Sequence, residues 1–144
     1  MKKVRISALI AIILLIGFLA SVPVVNNLTA KGVEKELKEI PIPDHTEMVE
    51  ALSKAGKLVG NGNGMQYFGA ILLKSERSLE ELSSYYSQQH ADVVVKEQKT
   101  QEIAFLEHSR LSFKTDIDDS AGYYIVYLFG SGIAPFSQLD IRGH

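Results

Sequence analysis

The chain has 144 residues, of which 46% are hydrophobic and 22% charged, enough for one domain of ordinary size. It contains no cysteine, which excludes a disulfide framework, a thiolate metal site, a cysteine nucleophile and an acylated lipoprotein cysteine. The net charge of −2 conceals an asymmetry, because Lys2, Lys3 and Arg5 lie at the amino terminus and leave residues 6–144 with twelve basic and seventeen acidic side chains. An acidic body argues against a nucleic-acid partner, since phosphate binding calls for clustered lysine and arginine.

A long apolar segment follows this basic head. Residues 6–25 contain no charged side chain, and as a helix they would span about 30 Å, the thickness of a hydrocarbon core. An uncleaved membrane anchor, a cleaved signal peptide and a buried core helix are the competing interpretations. Phe18 and Leu28 place large residues at the −3 position of the two candidate cleavage sites, which favours the uncleaved anchor. Pro23 lies in the last turn, where it would kink or end the helix.

The positive-inside rule places the basic head in the cytoplasm and the rest of the chain outside. The predicted segments are a cytoplasmic head (1–5), a transmembrane anchor (6–27), a stalk or linker (28–43) and an extracytoplasmic α+β domain (44–144). Within the linker, Val33, Leu37 and Ile40 share one helical face, so this segment either extends the anchor as a stalk or caps the folded body. Two prolines, Pro41 and Pro43, then mark a natural boundary.

Residues 60–64, Gly-Asn-Gly-Asn-Gly, are the clearest local signal in the body. Two Asn-Gly dipeptides between apolar segments are typical of a β-hairpin loop that needs positive φ. A phosphate-binding loop, the alternative, requires a helix directly after it, whereas residues 65–74 have the aromatic and apolar composition of a strand. Because a hairpin needs a preceding strand, residues 44–57 are predicted as a strand, although Asp44 and Glu47 also fit the capping box of a helix.

A helix to about Gln89 is predicted next, because Ser78 and Glu81 form a capping box. The apolar positions that share one face of this helix are Leu79, Leu82, Tyr85 and Tyr86.

Several β-compatible segments follow the helix. Residues 92–98, 102–106 and 110–114 are short, and residues 123–129 form the strongest strand, which is therefore expected to be central. The tail, 133–144, is expected to add a short edge strand or to lie loose. The order β-β-α-β-β-β predicts an α+β fold in which a two-layer antiparallel sheet packs against one helix after the transmembrane helix.

Chemical motifs are sparse. The four histidines include no pair at i, i+4, so no zinc site is expected, and His108 is interpreted as an exposed turn residue. His90 is interpreted as the end of the helix, where a cation suits the helix dipole. Residues 116–122 hold three carboxylates, but Ala121 and Tyr127 occupy positions where a calcium loop needs glycine and glutamate, which indicates an acidic turn. We therefore expect no catalytic residue, no cofactor and no metal.

Residues 41–47, 56–75 and 79–82, together with the closing 140–144, carry a resemblance to a known group. They resemble small single-pass membrane-anchored proteins of Gram-positive bacteria whose function is not characterised, and Gly-Asn-Gly-Asn-Gly-Met-Gln is the most specific part. The resemblance implies a strand before the hairpin. It implies no activity, ligand or catalytic residue.

Two functional hypotheses follow from these observations. In the first, the chain is anchored in the lipid bilayer and its outer domain binds an envelope protein through a sheet edge or the aromatic tail. In the second, the domain binds a small ligand or a cell-wall fragment in a pocket between helix and sheet, lined by Tyr67, Tyr85, Tyr86 or Tyr124. A hydrolase that uses His108 or Asp118 is a third alternative.

Overall fold

A computed structural model describes residues 2–118 and 122–144, with side chains from residue 6 onward. Within these residues the chain forms two helices, a four-stranded sheet and two 3₁₀ turns, which confirms the α+β class. The elements in chain order are α1 (Lys2–Glu39), β1 (Thr46–Gly56), β2 (Gln66–Ser75), α2 (Leu79–Gln89), β3 (Val94–Glu97), β4 (Tyr123–Phe129), the first 3₁₀ turn (Ser137–Leu139) and the second 3₁₀ turn (Ile141–Gly143).

The strands form one antiparallel sheet in the order β1-β2-β4-β3. The predicted hairpin is confirmed: Gly56 pairs with Gln66, and β2 rather than a helix follows the glycine-rich loop. Gly60 adopts φ of 74°, a left-handed conformation that favours glycine. The Gln66 side-chain oxygen accepts hydrogen bonds from the backbone N–H groups of Leu58 (2.8 Å) and Val59 (2.9 Å) and so closes the loop. The strand predicted before the hairpin is present, and the helix alternative there is wrong.

The strand β4 lies between β2 and β3, which confirms its expected central position. Its residues Ile125 and Val126 are buried on opposite faces of the sheet. A strand covered on both faces needs apolar side chains at successive positions, which explains its nearly continuous apolar sequence.

The two segments expected as strands between β3 and β4 are not strands. Residues 102–106 and 110–114 contribute one isolated bridge, between Glu102 and Ser112. The backbone bonds near this bridge are made within the segment, so it does not join the sheet. Its apolar side chains instead cover the sheet face that faces away from the helices: Ile103, Leu106 and Phe113. The short apolar runs therefore reflect burial rather than strand pairing.

The helix α1 is continuous through Pro23 and has two different halves. From Ile6 it is long and apolar enough to cross a membrane by length and composition. Its second half packs on the sheet, where Leu37 is fully buried. The backbones of α1 and β2 lie close together at this point. A Cβ added to Gly69 of β2 would lie 2.5 Å from the backbone nitrogen of Glu34. The region around Val33, Leu37 and Ile40 was expected either to extend the anchor as a stalk or to cap the folded body. Its packing on the sheet is that of a cap.

The second helix, α2, packs on the same face of the sheet through Leu82 and Tyr86. Its capping box is confirmed: the Ser78 hydroxyl accepts from the Glu81 N–H at 3.3 Å, and the Glu81 carboxylate accepts from the Ser78 N–H at 2.8 Å. His90 follows the last helical residue, as predicted from its sequence position. The two helices therefore form one layer, with the sheet as the second.

Candidate functional site

The C-terminal tail meets α1 beside the hairpin loop between β1 and β2. Residues 130–144 run back along the middle of α1 and reach the β1–β2 connection. The Lys57 N–H donates to the Arg142 carbonyl at 2.7 Å, and the Gly64 N–H donates to the Gly143 carbonyl at 2.7 Å. The expectation of an edge strand or a loose tail is therefore wrong, because these bonds and two 3₁₀ turns hold the tail in place.

A buried hydrogen-bond network joins the tail to α1 and β2. The Tyr67 hydroxyl donates to the Asn26 side-chain oxygen at 2.7 Å, and it accepts from the Ala134 N–H at 3.2 Å. The Asn26 amide in turn donates to the Asp140 carboxylate at 2.7 Å. Asn26, Tyr67 and Asp140 are all buried, so each bond replaces one that water would otherwise make.

The network ends in a charged pair. The Arg142 guanidinium donates two hydrogen bonds to the Asp140 carboxylate, from Nε at 2.9 Å and from Nη2 at 2.7 Å, and the Arg142 backbone N–H donates a third at 3.1 Å. This bonding to Arg142 holds the pKa of Asp140 well below its usual range, and it raises the pKa of Arg142. The same guanidinium also donates to the Asn27 side-chain oxygen (2.9 Å) and to the Pro23 carbonyl (3.2 Å). We call these residues, Asn26, Tyr67, Asp140 and Arg142, the clasp.

Beside the clasp, an open groove of about 530 Å³ separates α1 from the edge strand β1. Its lining residues are Val24, Asn27, Leu28, Ala30, Lys31, Ser53, Lys54, Ala55 and Arg142. On the α1 side Val24 and Leu28 are exposed apolar residues. Lys31 is mostly exposed although it pairs with the buried Glu34 carboxylate at 2.6 Å.

The β1 side of the groove is the free edge of the sheet. Residues 53–55 make no backbone hydrogen bond, within the described parts of the chain, to any segment other than β2. Because backbone groups alternate in direction along a strand, part of this stretch directs N–H and C=O groups away from β2. A bulge between Met48 and Glu50 interrupts the regular pairing farther along β1. The groove thus combines unpaired strand edge, apolar surface and positive charge, a set of groups suited to binding.

Two of the four tyrosines predicted as a ligand surface lie in the core. Tyr67 belongs to the clasp. Tyr86 is fully buried, its hydroxyl has no hydrogen-bond partner in the described part of the chain, and burial raises its pKa to about 12. Tyr85 contacts the Tyr86 ring edge-on at 5.4 Å between centroids and donates to the Pro41 carbonyl at 3.1 Å.

The fourth, Tyr124, is half-buried, and burial together with the nearby Glu97 carboxylate raises its pKa. Tyr124 pairs with Leu73, six residues along β2 from Tyr67, a separation of about 20 Å at the usual strand rise. The structure therefore brings Tyr85 and Tyr86 together and separates Tyr67 from Tyr124.

Each of the four histidines has a partner within the protein. His108 bonds through Nε2 to the Gly60 carbonyl of the hairpin loop at 2.7 Å, and His90 lies 3.2 Å from the Glu36 carboxylate of α1. No group of three or more histidine and acidic side chains in residues 2–118 and 122–144 is arranged to hold a metal ion. Part of the predicted acidic turn, residues 119–121, lies outside the described residues.

The sequence signal for the clasp is slight. Asn26 and Asn27 end the apolar run, and Asp140 and Arg142 are the last charged residues of a tail that has no other charge after Asp119. These residues form no recognisable sequence motif, because the asparagines of α1 and the charged residues of the tail are more than 100 positions apart. No protein-family model matches this chain, and neither a curated protein nor a solved structure resembles it at a significant level.

Proposed function

We propose that this chain is a single-pass membrane protein whose outer domain binds an envelope protein at the membrane surface. The amino-terminal head would be cytoplasmic, since it carries three basic residues within five positions. The apolar half of α1 supports the anchor, because only 6% of its most apolar window is buried against the rest of the chain. The core helix of a soluble domain would instead be mostly covered by protein.

The observation that carries the proposal is the groove between α1 and the free edge of β1. The helix that forms one side of the groove is also the anchor, so a partner bound there would lie next to the bilayer. The clasp ties the same helix to the tail and holds the groove in a fixed orientation. A domain joined to its span by a continuous helix cannot swing as it would on a flexible linker.

The chemistry of the groove favours an extended peptide segment as the occupant. An exposed strand edge recognises another chain through backbone hydrogen bonds, and neighbouring side chains supply specificity. Here Val24 and Leu28 offer apolar contact, and Lys54 adds a positive charge beside Lys31, which pairs with Glu34. We infer that the partner segment is extended, partly apolar and acidic.

In-cell photocrosslinking tests this proposal. A photoreactive amino acid at Ser53, in the groove, should give one discrete protein adduct, whereas the same amino acid at Val94, on the opposite edge strand, should not. The variant Leu28→Glu should abolish the Ser53 adduct, because it puts a negative charge where the acidic partner contacts α1. An adduct that forms equally at both sites, or that survives Leu28→Glu, contradicts the proposal.

The placement of the domain has its own test. A protease is added to intact cells whose wall lets it reach the membrane surface. It should digest the domain, whereas the bilayer should protect the span in α1. Protection of the domain in intact cells, followed by digestion after lysis, contradicts the proposed orientation.

A small ligand or a cell-wall fragment is the second candidate occupant. The groove volume of about 530 Å³ falls within the usual range of small-molecule pockets, roughly 300–1,000 Å³. A thermal-shift screen of the full chain with wall fragments and sugars tests this candidate. Stabilisation that is lost in Leu28→Glu supports it, and stabilisation that persists in that variant places the ligand elsewhere.

A further inference from the structure

The exposed apolar side chains are concentrated in two places. Among the described residues, large hydrophobic side chains that are at least half exposed lie either in α1 between Ile6 and Leu28 or in the C-terminal tail. The tail residues and their exposed fractions are Ile133 (83%), Phe136 (60%), Leu139 (52%) and Ile141 (86%). Four such residues within nine positions form an apolar surface that is unusual for a water-facing segment.

The tail is amphipathic, but its small and polar side chains face the protein and its large apolar side chains face outward, the reverse of the arrangement in a soluble protein. The residues that face the protein recur every third position and are small or polar: Ala134, Ser137, Asp140 and Gly143. A period of three matches the 3₁₀ turns that the tail forms. The large apolar residues are therefore turned outward by the regular geometry of the segment. Burial in water-soluble domains selects the opposite arrangement.

This outward surface is continuous with the apolar half of α1. The rings of Phe18 and Phe136 meet edge-to-face, with centroids 5.0 Å apart. Phe18 lies seven residues before Val25, the end of the apolar run, which is about 10 Å along the helix. Phe136 holds this position with φ of 59°, a left-handed conformation that a bulky residue rarely adopts. The tail thus extends beside the span rather than staying above it.

Several polar groups of the tail are bonded within the protein, as contact with an apolar environment favours. The 3₁₀ turns bond the N–H groups of Leu139 and Asp140 to carbonyls within the tail, at 2.9 and 3.1 Å. Residues 123–139 contain no charged side chain. The next charge, on Asp140, is buried and neutralised by Arg142 within the clasp. These internal bonds and the absence of an uncompensated charge lower the cost of placing the tail against hydrocarbon.

We propose that the tail is a second membrane contact, in which Ile133, Phe136, Leu139 and Ile141 insert among the lipid acyl chains of the outer leaflet beside α1. This inference rests on the proposed membrane span of α1. The chain would then hold the bilayer by one spanning helix and one segment that dips into a single leaflet. Because the tail would enter the bilayer beside the helix rather than on its axis, it would oppose tilting of the domain about α1.

Spin-label accessibility in the full chain tests this inference, and the cysteine-free sequence allows one label per variant. Nitroxide labels are introduced by Ile133→Cys and Ile141→Cys in chain reconstituted into phosphatidylcholine vesicles. Leu14→Cys reports on the span, and Met48→Cys, a partly exposed site at the far end of β1, reports on water. Collision rates are measured with oxygen, which concentrates in the bilayer, and with a water-soluble nickel complex.

We expect the ratio of oxygen to nickel collisions at positions 133 and 141 to exceed that at position 48 several-fold and to approach that at position 14. A tail ratio equal to that at position 48, with a high ratio at position 14, overturns the tail insertion and leaves the span intact. A low ratio at position 14 overturns both. Labels at positions 133 and 141 that are shielded from both reagents would show a protein, such as a second copy of this chain, on the tail, and would also overturn the insertion.

Discussion

The amide of Asn26 donates a hydrogen bond of 2.7 Å to the carboxylate of Asp140, although 114 positions separate the two residues. Asn26 lies where the apolar part of α1 ends, and Asp140 lies between the two 3₁₀ turns of the tail. The second half of α1 already packs on the sheet, and this contact joins the tail to the same helix nearer its apolar part.

We expect Asp140→Asn to lower the free energy of unfolding by about 2 kcal/mol, because two charge-assisted hydrogen bonds from Arg142 are weakened. Chemical denaturation of the full chain in detergent micelles measures this loss. The control is Asp44→Asn, an exposed acidic residue outside the clasp, which should change stability by less than about 0.5 kcal/mol. Equal effects of the two variants would contradict the role given to the clasp.

The contribution of Asp140 should also depend on pH. Its folded-state pKa lies below the ordinary value of 3.8, so the unfolded chain takes up the proton first as the pH falls. The stability difference between wild type and Asp140→Asn should be constant above about pH 5 and should shrink as the pH falls below about 4. Unfolding measured at a series of pH values tests this, and an undiminished difference at about pH 3 would contradict it.

Two buried tyrosines should respond oppositely to loss of the hydroxyl group. Tyr67→Phe leaves the Asn26 oxygen and the Ala134 N–H without their partner and should cost about 1–3 kcal/mol. Tyr86→Phe removes a buried hydroxyl that has no partner in the described part of the chain, so it should be neutral or stabilising. Thermal unfolding of both variants measures the contrast. If Tyr86 bonds a ligand, Tyr86→Phe should instead weaken that binding.

Gly69→Ala should be destabilising by about 1–3 kcal/mol, because its Cβ would collide with the α1 backbone at Glu34. Gly62→Ala is the matched control, since a Cβ there meets no atom within 4 Å. We expect the control to be close to neutral. Comparable melting temperatures for the two variants would show that α1 does not pack closely on β2.

The capping box of α2 allows a further prediction. Ser78→Ala removes the side-chain acceptor of the Glu81 N–H and should cost about 1 kcal/mol. Ser87→Ala, at an exposed position inside the same helix, should be neutral or slightly stabilising because alanine has the higher helix propensity. Circular dichroism during thermal unfolding compares the two. A larger loss for Ser87→Ala would be inconsistent with this cap.

Signals that operate over a few residues were sufficient for much of the fold. The Asn-Gly dipeptides predicted the hairpin, the Ser78–Glu81 capping box predicted α2, and the apolar run predicted a helix of membrane-spanning length. Each depends on dihedral preference or on contacts within one turn, so it is visible in a short window of sequence.

Short apolar runs were ambiguous for a physical reason. Residues 102–106 resemble a strand because strands and buried loops both place apolar side chains inward. Backbone pairing distinguishes the two, and it depends on which strand has a free edge. The position beside β4 is taken by β3, and the segment covers the sheet face instead. Local composition carries no information about that competition.

The amino-acid order alone therefore establishes an apolar helix of membrane-spanning length, a hairpin and a capped helix, because those depend on neighbours in sequence. The clasp, the groove and the outward-facing apolar tail could not be inferred in this way. They require Asn26, Tyr67 and Asp140 to meet, and residues so far apart along the chain are brought together by the packing of α1, the sheet and the tail as a whole.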